Sequence, residues 1–220
     1  MSQFKFSVGP WNVHTGADSY GPETRKAIDL ETKFAMFREL GFDAVQFHDD
    51  DVVPNMNDLS EDEIKAEARK VKALLDKYNL KAEFVAPRLW MDPHTTDGGY
   101  TSTSREDREF AMWRSFRSID IARELGCDLI VLWLAREGTL CAEAKSPVEA
   151  TQQLVASINE MLRYDDSIRI CIEPKPNEPI DRSISGTAGH ALAIGAQTVD
   201  AAYDIGQHII GKVKGALNLQ

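Results

Sequence analysis

His48 stands three residues before Asp51 in the run Phe47-His-Asp-Asp-Asp51, and a carboxylate at that distance can accept the Nδ1 proton of the imidazole. The tautomer is then fixed, and the other ring nitrogen is left to act as acid or base on a ligand oxygen. Taken alone, a histidine more often serves as a hydrogen-bonded structural group, and Asp49 and Asp50 read as a solvated acidic turn. Asp51 is the carboxylate that the acid–base reading selects. A second polar group is Glu173, Lys175 and Glu178, which alternate with prolines that remove backbone donors and stiffen the chain. Glu173 suits a hard cation and Lys175 a developing oxyanion; a weak Glu–Lys ion pair suits the same spacing equally well. Trp11, Trp90 and Trp133 are three of the four tryptophans. Aromatic walls beside a few polar groups suit a small neutral ligand such as a sugar, a core role being the plain alternative. Trp113, inside a helical pattern, is a packing residue.

These residues need elements to position them. Strand-like runs occupy Phe4–Gly9, Asp43–His48, Ala82–Pro87, Cys127–Trp133 and Ile168–Pro174, at an interval of about forty residues, each followed by turn residues and then helical periodicity. Asp29 precedes a helix that stops at Gly41, Ser60 and Glu63 make a capping box, Ser104 precedes a helix that stops at Gly126, and Ser146-Pro147 with Glu149 opens another. Phe34, Phe37 and Leu40, then Ile64, Ala68, Val71 and Leu75, give each of the first two helices one buried stripe. Strict strand–helix alternation with apolar strands means an α/β fold with a covered parallel sheet. Continued to eight units, the period would need roughly 320 residues, within the size of a (β/α)8 barrel. The 220 residues present therefore predict about five of the eight units, a partial TIM-type barrel forming a single domain over 1–220 that is incomplete at its C-terminal end. Helical spacing at 190–194 and again from Val199 to Val213 closes the chain, and Gln207–Ile210 is too short for a clear sixth strand.

The polar and aromatic residues all fall at the carboxyl ends of the predicted strands, where such barrels carry their active sites. Composition agrees with an ordinary globular chain: 43% hydrophobic, 27% charged, and a net charge of −10 with pI near 5.0. That negative field repels phosphates and anionic membrane and argues against nucleic-acid binding. No apolar run is long enough to span a membrane and Met1–Gly9 lacks a secretory signal, so a cytoplasmic protein is expected. Three cysteines without CxxC spacing fit a reducing compartment, with Cys127 and Cys171 as small strand residues.

The segments Phe47–Asp51, Asp97-Gly-Gly-Tyr-Thr101, Trp133 with Arg136-Glu-Gly138, and above all Ile172-Glu-Pro-Lys-Pro-Asn-Glu-Pro179 followed by Gly189–Ala193, resemble xylose isomerase, in order and spacing from about Phe4 to about Ala202. The likeness covers the N-terminal part of that enzyme's barrel, in its shorter, actinobacterial-type class. It implies interconversion of xylose with xylulose, and of glucose with fructose, by an enzyme using two divalent ions per site (Mg2+, Mn2+ or Co2+) that polarise the sugar oxygens for a hydride shift. It also implies a homo-oligomer, tetrameric in the family. By the same likeness His48, oriented by Asp51, assists ring opening; Trp11, Trp90 and Trp133 line the sugar, with Trp90 where phenylalanine is common. Glu173 matches a metal ligand and Lys175 a group bonded to the sugar's O1. The family's other metal ligands come from its last three strands and have no counterpart after His190. One carboxylate cannot complete two shells of about six oxygens, so the isolated chain is expected to hold no metal pair. The alternatives are a non-catalytic half-barrel that binds sugar or self-associates, and a metal-dependent endonuclease or epimerase on a related barrel. Charge, and the lack of a His/Asp/Glu cluster in the last third, weigh against the latter.

Overall fold

A computed structural model describes residues 4–17, 22–177 and 179–198. The five predicted strands form: β1 (Ser7–Val8), β2 (Ala44–His48), β3 (Lys81–Ala86), β4 (Leu129–Trp133) and, after a short extra strand β5 (Gly138–Thr139), β6 (Arg169–Glu173). They make one sheet in the order β1-β2-β3-β4-β6, and β1–β2, β2–β3 and β3–β4 pair in parallel. Between them lie α1 (Leu30–Glu39), the short α2 (Asp49–Val52), α3 (Glu61–Lys77), α4 (Arg105–Glu124) and α5 (Pro147–Tyr164). This alternation and strand order are those of the first five units of a TIM-type barrel. Among the described residues no helix is long and apolar enough to cross a membrane.

The helices begin where capping chemistry places them. Asp29 accepts from the Thr32 N–H, Ser60 and Glu63 form the reciprocal capping box of α3, and Ser146 accepts from the Glu149 N–H. Each satisfies an orphan donor of the first turn. Strand β1 is shorter than its predicted run because Pro10, which has no N–H to give the sheet, opens a 3-10 turn over Pro10–Val13.

The chain divides into two compact units. The first comprises residues 1–88 with 117–131. In β2, Val45 and Phe47 are buried and alternate with Gln46 and His48 on the other face. Phe34 meets Phe47 edge-on at 6.0 Å, and Ile64, Ala68, Val71 and Leu75 of α3 are buried as the periodicity requires. Leu40 departs from its predicted stripe: as the C-cap of α1 it has left the helical face and is 71% exposed. Gln46 donates to Ser7 Oγ at 3.0 Å and to Glu83 Oε2 at 2.9 Å, linking three neighbouring strands by a polar row.

Asp49 corrects the sequence reading most sharply. Instead of a solvated turn, residues 49–52 form α2, whose first-turn N–H groups and dipole favour three aspartates. Asp49 is fully buried and accepts from the backbone N–H of Asp50 (2.8 Å) and of Arg88 (3.2 Å) and from the Ser118 hydroxyl (3.1 Å). A buried carboxylate is tolerated only when hydrogen-bonded in this way.

The second unit comprises residues 89–116 with 132–220. Its α5 buries Ala150, Leu154, Ile158, Met161 and Leu162, and β5 pairs antiparallel with β7 (Arg182–Ser183). Helix α6 (Ala188–Gly195) opens on Thr187, which accepts from the His190 N–H, and realises the helical spacing read at 190–194. The predicted helix from Val199 and the strand candidate at 207–210 lie outside the described residues. Strand β6 is not covered as expected: Arg169, Cys171 and Glu173 alternate outward and are exposed. Cys127 is buried and precedes β4 by two residues.

Replacing Asp49 by alanine strands the Arg88 N–H and the Ser118 hydroxyl in a dry site and is expected to destabilise the protein by about 3 kcal/mol. Urea titration measures this; Asp49→Asn, which keeps an acceptor, should lose less.

Candidate functional site

In the first unit the structure brings together Trp11, His48 and Asp51. His48 ends β2 and is the N-cap of α2, with Asp51 at the third helical position. Asp51 Oδ2 lies 3.2 Å from His48 Nδ1 and accepts from the His48 backbone N–H at 2.9 Å. One carboxylate thus caps the helix and lies beside the imidazole. Trp11 covers the imidazole, with ring centroids 4.3 Å apart and planes 33° apart. The indole reaches this place by folding back over Gly9, where a Cβ would lie 2.2 Å from the ring. The sequence assigned Trp11 to a ligand wall; its contact with His48 was not legible from spacing.

Arg88, two residues beyond β3, turns its guanidinium to Asp50 at 3.3 Å. His48, Asp50 and Asp51 offer three possible ligand atoms within 4.8 Å of one another. Their chemistry fits a hard dication poorly, because Arg88 already engages Asp50 and His48 engages Asp51. Glu173 closes β6, exposed, and among the described residues it joins no group of three ligating side chains. Among the described residues the possible ligand group is thus His48, Asp50 and Asp51, with Glu173 outside it.

In the second unit the structure brings together Trp90, Trp133 and Lys175. Trp90 lies in the 3-10 turn Leu89–Met91, and Trp133 is the last residue of β4. Their rings meet edge to face, with centroids 4.4 Å apart and an interplanar angle of 78°. Lys175 Nζ stands 4.8 Å from the Trp133 ring centroid, a cation–π contact worth about 1 kcal/mol. The lysine is thereby directed at an aromatic face. Arg136 Nε donates to the Trp90 carbonyl at 3.2 Å.

Glu137 belongs to the segment Arg136-Glu-Gly138 singled out in the sequence, where it was given no role of its own. It is 3% exposed, and its carboxylate accepts from three successive backbone N–H groups: Gly99 (2.7 Å), Tyr100 (3.0 Å) and Thr101 (3.0 Å). The Thr101 hydroxyl adds a fourth bond at 2.6 Å. The Gly98-Gly99 pair makes this approach possible: Gly98 has φ +91°, and a Cβ on either glycine would crowd a Glu137 oxygen. Burial pushes the Glu137 pKa above the ordinary glutamate range, while the four donors act in the opposite direction.

Residues 34–214 match the family described as xylose isomerase-like TIM barrel. Among solved structures, the chain is similar to D-psicose 3-epimerase with D-tagatose from Clostridium cellulolyticum H10, at 13% identity and TM-score 0.62 over 88% of this chain and 60% of that one. It is also similar to L-ribulose 3-epimerase (14%, TM-score 0.61, 88% and 56%). A xylose isomerase-like TIM barrel protein from Mycobacterium smegmatis in complex with magnesium gives 15%, TM-score 0.54, 87% and 60%. At these identities the likeness is one of fold, and the chain spans less than two thirds of each of these proteins. The matches are broader than the single enzyme suggested by the motifs, and they include the epimerases that charge had weighed against.

Two outcomes are expected. Gly9→Ala should displace the Trp11 indole and shift its fluorescence toward that of a solvated tryptophan, with a loss of about 1–3 kcal/mol from overpacking in a denaturant titration. For Glu137 the folded pKa lies above the unfolded value of 4.5, so its titration contributes stability that is complete below pH 4.5 and is lost as pH rises through the folded pKa. Relative to Glu137→Gln, the wild type should therefore lose stability with rising pH above 4.5, by at most about 1.4 kcal/mol per pH unit.

Proposed function

Because the chain belongs to the xylose isomerase-like TIM barrel family, we propose that it acts on a small neutral sugar and serves aldose–ketose isomerisation, with D-xylose and D-xylulose as the pair. The observation that supports this most is the His48–Asp51 pair beneath Trp11: a carboxylate-oriented imidazole at the carboxyl end of a barrel strand. With Nδ1 turned to Asp51, Nε2 takes the proton of the anomeric hydroxyl. The same nitrogen returns it to the ring oxygen as the bond between C1 and the ring oxygen breaks, leaving an open-chain aldehyde. Trp11 keeps bulk water from one face of the imidazole. In the second unit, the Trp90–Trp133 pair with Lys175 is a separate feature whose apolar faces suit sugar C–H groups and whose ammonium suits a ligand oxygen. Glu173 is the carboxylate proposed to meet a divalent ion, which when bound supplies Lewis-acid polarisation. A complete shell there requires ligands additional to those described.

The test is incubation with D-xylose and Mg2+ or Mn2+, with products followed by NMR. D-xylulose is the expected product, and His48→Gln should lower kcat by about 10²–10⁴-fold with KM little changed. A chain that neither turns over D-xylose nor shows tryptophan quenching on sugar titration would overturn the reading. Conversion of D-fructose to an epimeric ketose, without aldose, would replace it with an epimerase.

A further inference from the structure

Two consecutive residues after β4 hold both ends of one excursion of the chain. Arg136 takes the carbonyl of Trp90, and Glu137 takes the N–H groups of Gly99, Tyr100 and Thr101. We propose that Glu137 is a positioning residue for ligand binding, which with Arg136 sets Trp90 against Trp133 by fixing the segment 89–101. The functional part of this proposal rests on the sugar-binding reading; the geometric part does not.

A chain of bonds links the grip to the indole. Gly98 N–H donates to the Thr95 carbonyl at 3.0 Å, and the Thr95 hydroxyl, fully buried, bonds the carbonyls of Leu89 and Asp92. On the other side the Tyr100 hydroxyl meets Ser115 Oγ of α4 at 2.7 Å. Trp90 follows Leu89 directly, so its backbone is defined at its own carbonyl and through Thr95. Trp133 lies three residues before Arg136, and both indoles are therefore referenced to the same stretch, 133–137. A carboxyl group suits this task because its two oxygens meet all four converging donors. Glutamine would turn an amide N–H2 toward backbone N–H groups.

The experiment compares the wild type with Glu137→Gln and Thr101→Val by three readouts: the near-UV circular dichroism of the indole pair, identified by its loss in Trp90→Phe; hydrogen exchange of the amides at 99–101; and sugar titration. Glu137→Gln should lose most of the indole signal, with the helical signal unchanged, and speed amide exchange by about tenfold or more, the equivalent of one charge-assisted hydrogen bond. The sugar KM should rise by about as much with kcat within about twofold. Retention of the indole signal despite fast exchange would show that Glu137 holds the loop without positioning Trp90, and would overturn the proposal. If Glu137→Gln does not fold, Thr101→Val, which removes one of the four bonds, should give a partial change in both signals; no change in either overturns it. If the wild type binds no sugar, that reading fails separately, and the indole and exchange signals still decide whether Glu137 positions Trp90.

Discussion

Burying a carboxyl group is costly unless donors meet it, and this chain buries one at the end of β2 and another four residues past β4. Asp49 follows β2 and Glu137 follows β4, and each is compensated by backbone N–H groups from the segment that follows β3. The buried carboxyl oxygens demand donors and the loop N–H groups demand acceptors, so each satisfies the other. Strand ends are otherwise the least constrained parts of a barrel, since the ladder bonds stop there and the connections run into solvent. A buried carboxylate extends order past the last ladder bond without requiring a further strand.

The two anchors stand next to the residues that carry the chemistry. Asp49 adjoins His48, so fixing Asp49 to Arg88 and Ser118 also fixes the backbone from which the imidazole projects. Asp51 then adds a contact on the ring itself and Trp11 covers it. Glu137 adjoins Arg136 and follows Trp133, and its partners belong to the segment that carries Trp90. Acid–base and aromatic groups are in this way seated on elements whose supporting hydrogen bonds are local to each unit.

The strands and helix starts were legible because they depend on periodicity and on capping residues within three or four positions: Asp29, Ser60 with Glu63, and Ser146 all cap as read. The His48–Asp51 contact was legible for the same reason, being three residues apart. What spacing does not carry is partnership across distance. Asp49 looked like surface because its acceptor role depends on Arg88 and Ser118, and Glu137, quoted only within the Arg136-Glu-Gly138 segment, had no role assigned because its donors lie at 99–101. The paired glycines at 98 and 99 were the available signal, a place where backbone is made bare for close approach. Strand β6 was legible as the run Ile168–Pro174, but its faces were not: Arg169, Cys171 and Glu173 are exposed and alternate with half-buried Ile170 and Ile172.

The first unit is discontinuous: residues 117–131 complete a body begun at the N-terminus. Ser118, which satisfies Asp49, emerges from the ribosome 69 residues later. At about 5–20 residues per second, that delay is on the order of seconds. During it, the Asp49 carboxyl lacks the Ser118 donor. The full set of donors around Asp49 is therefore available only once the helix that carries Ser118 has been translated.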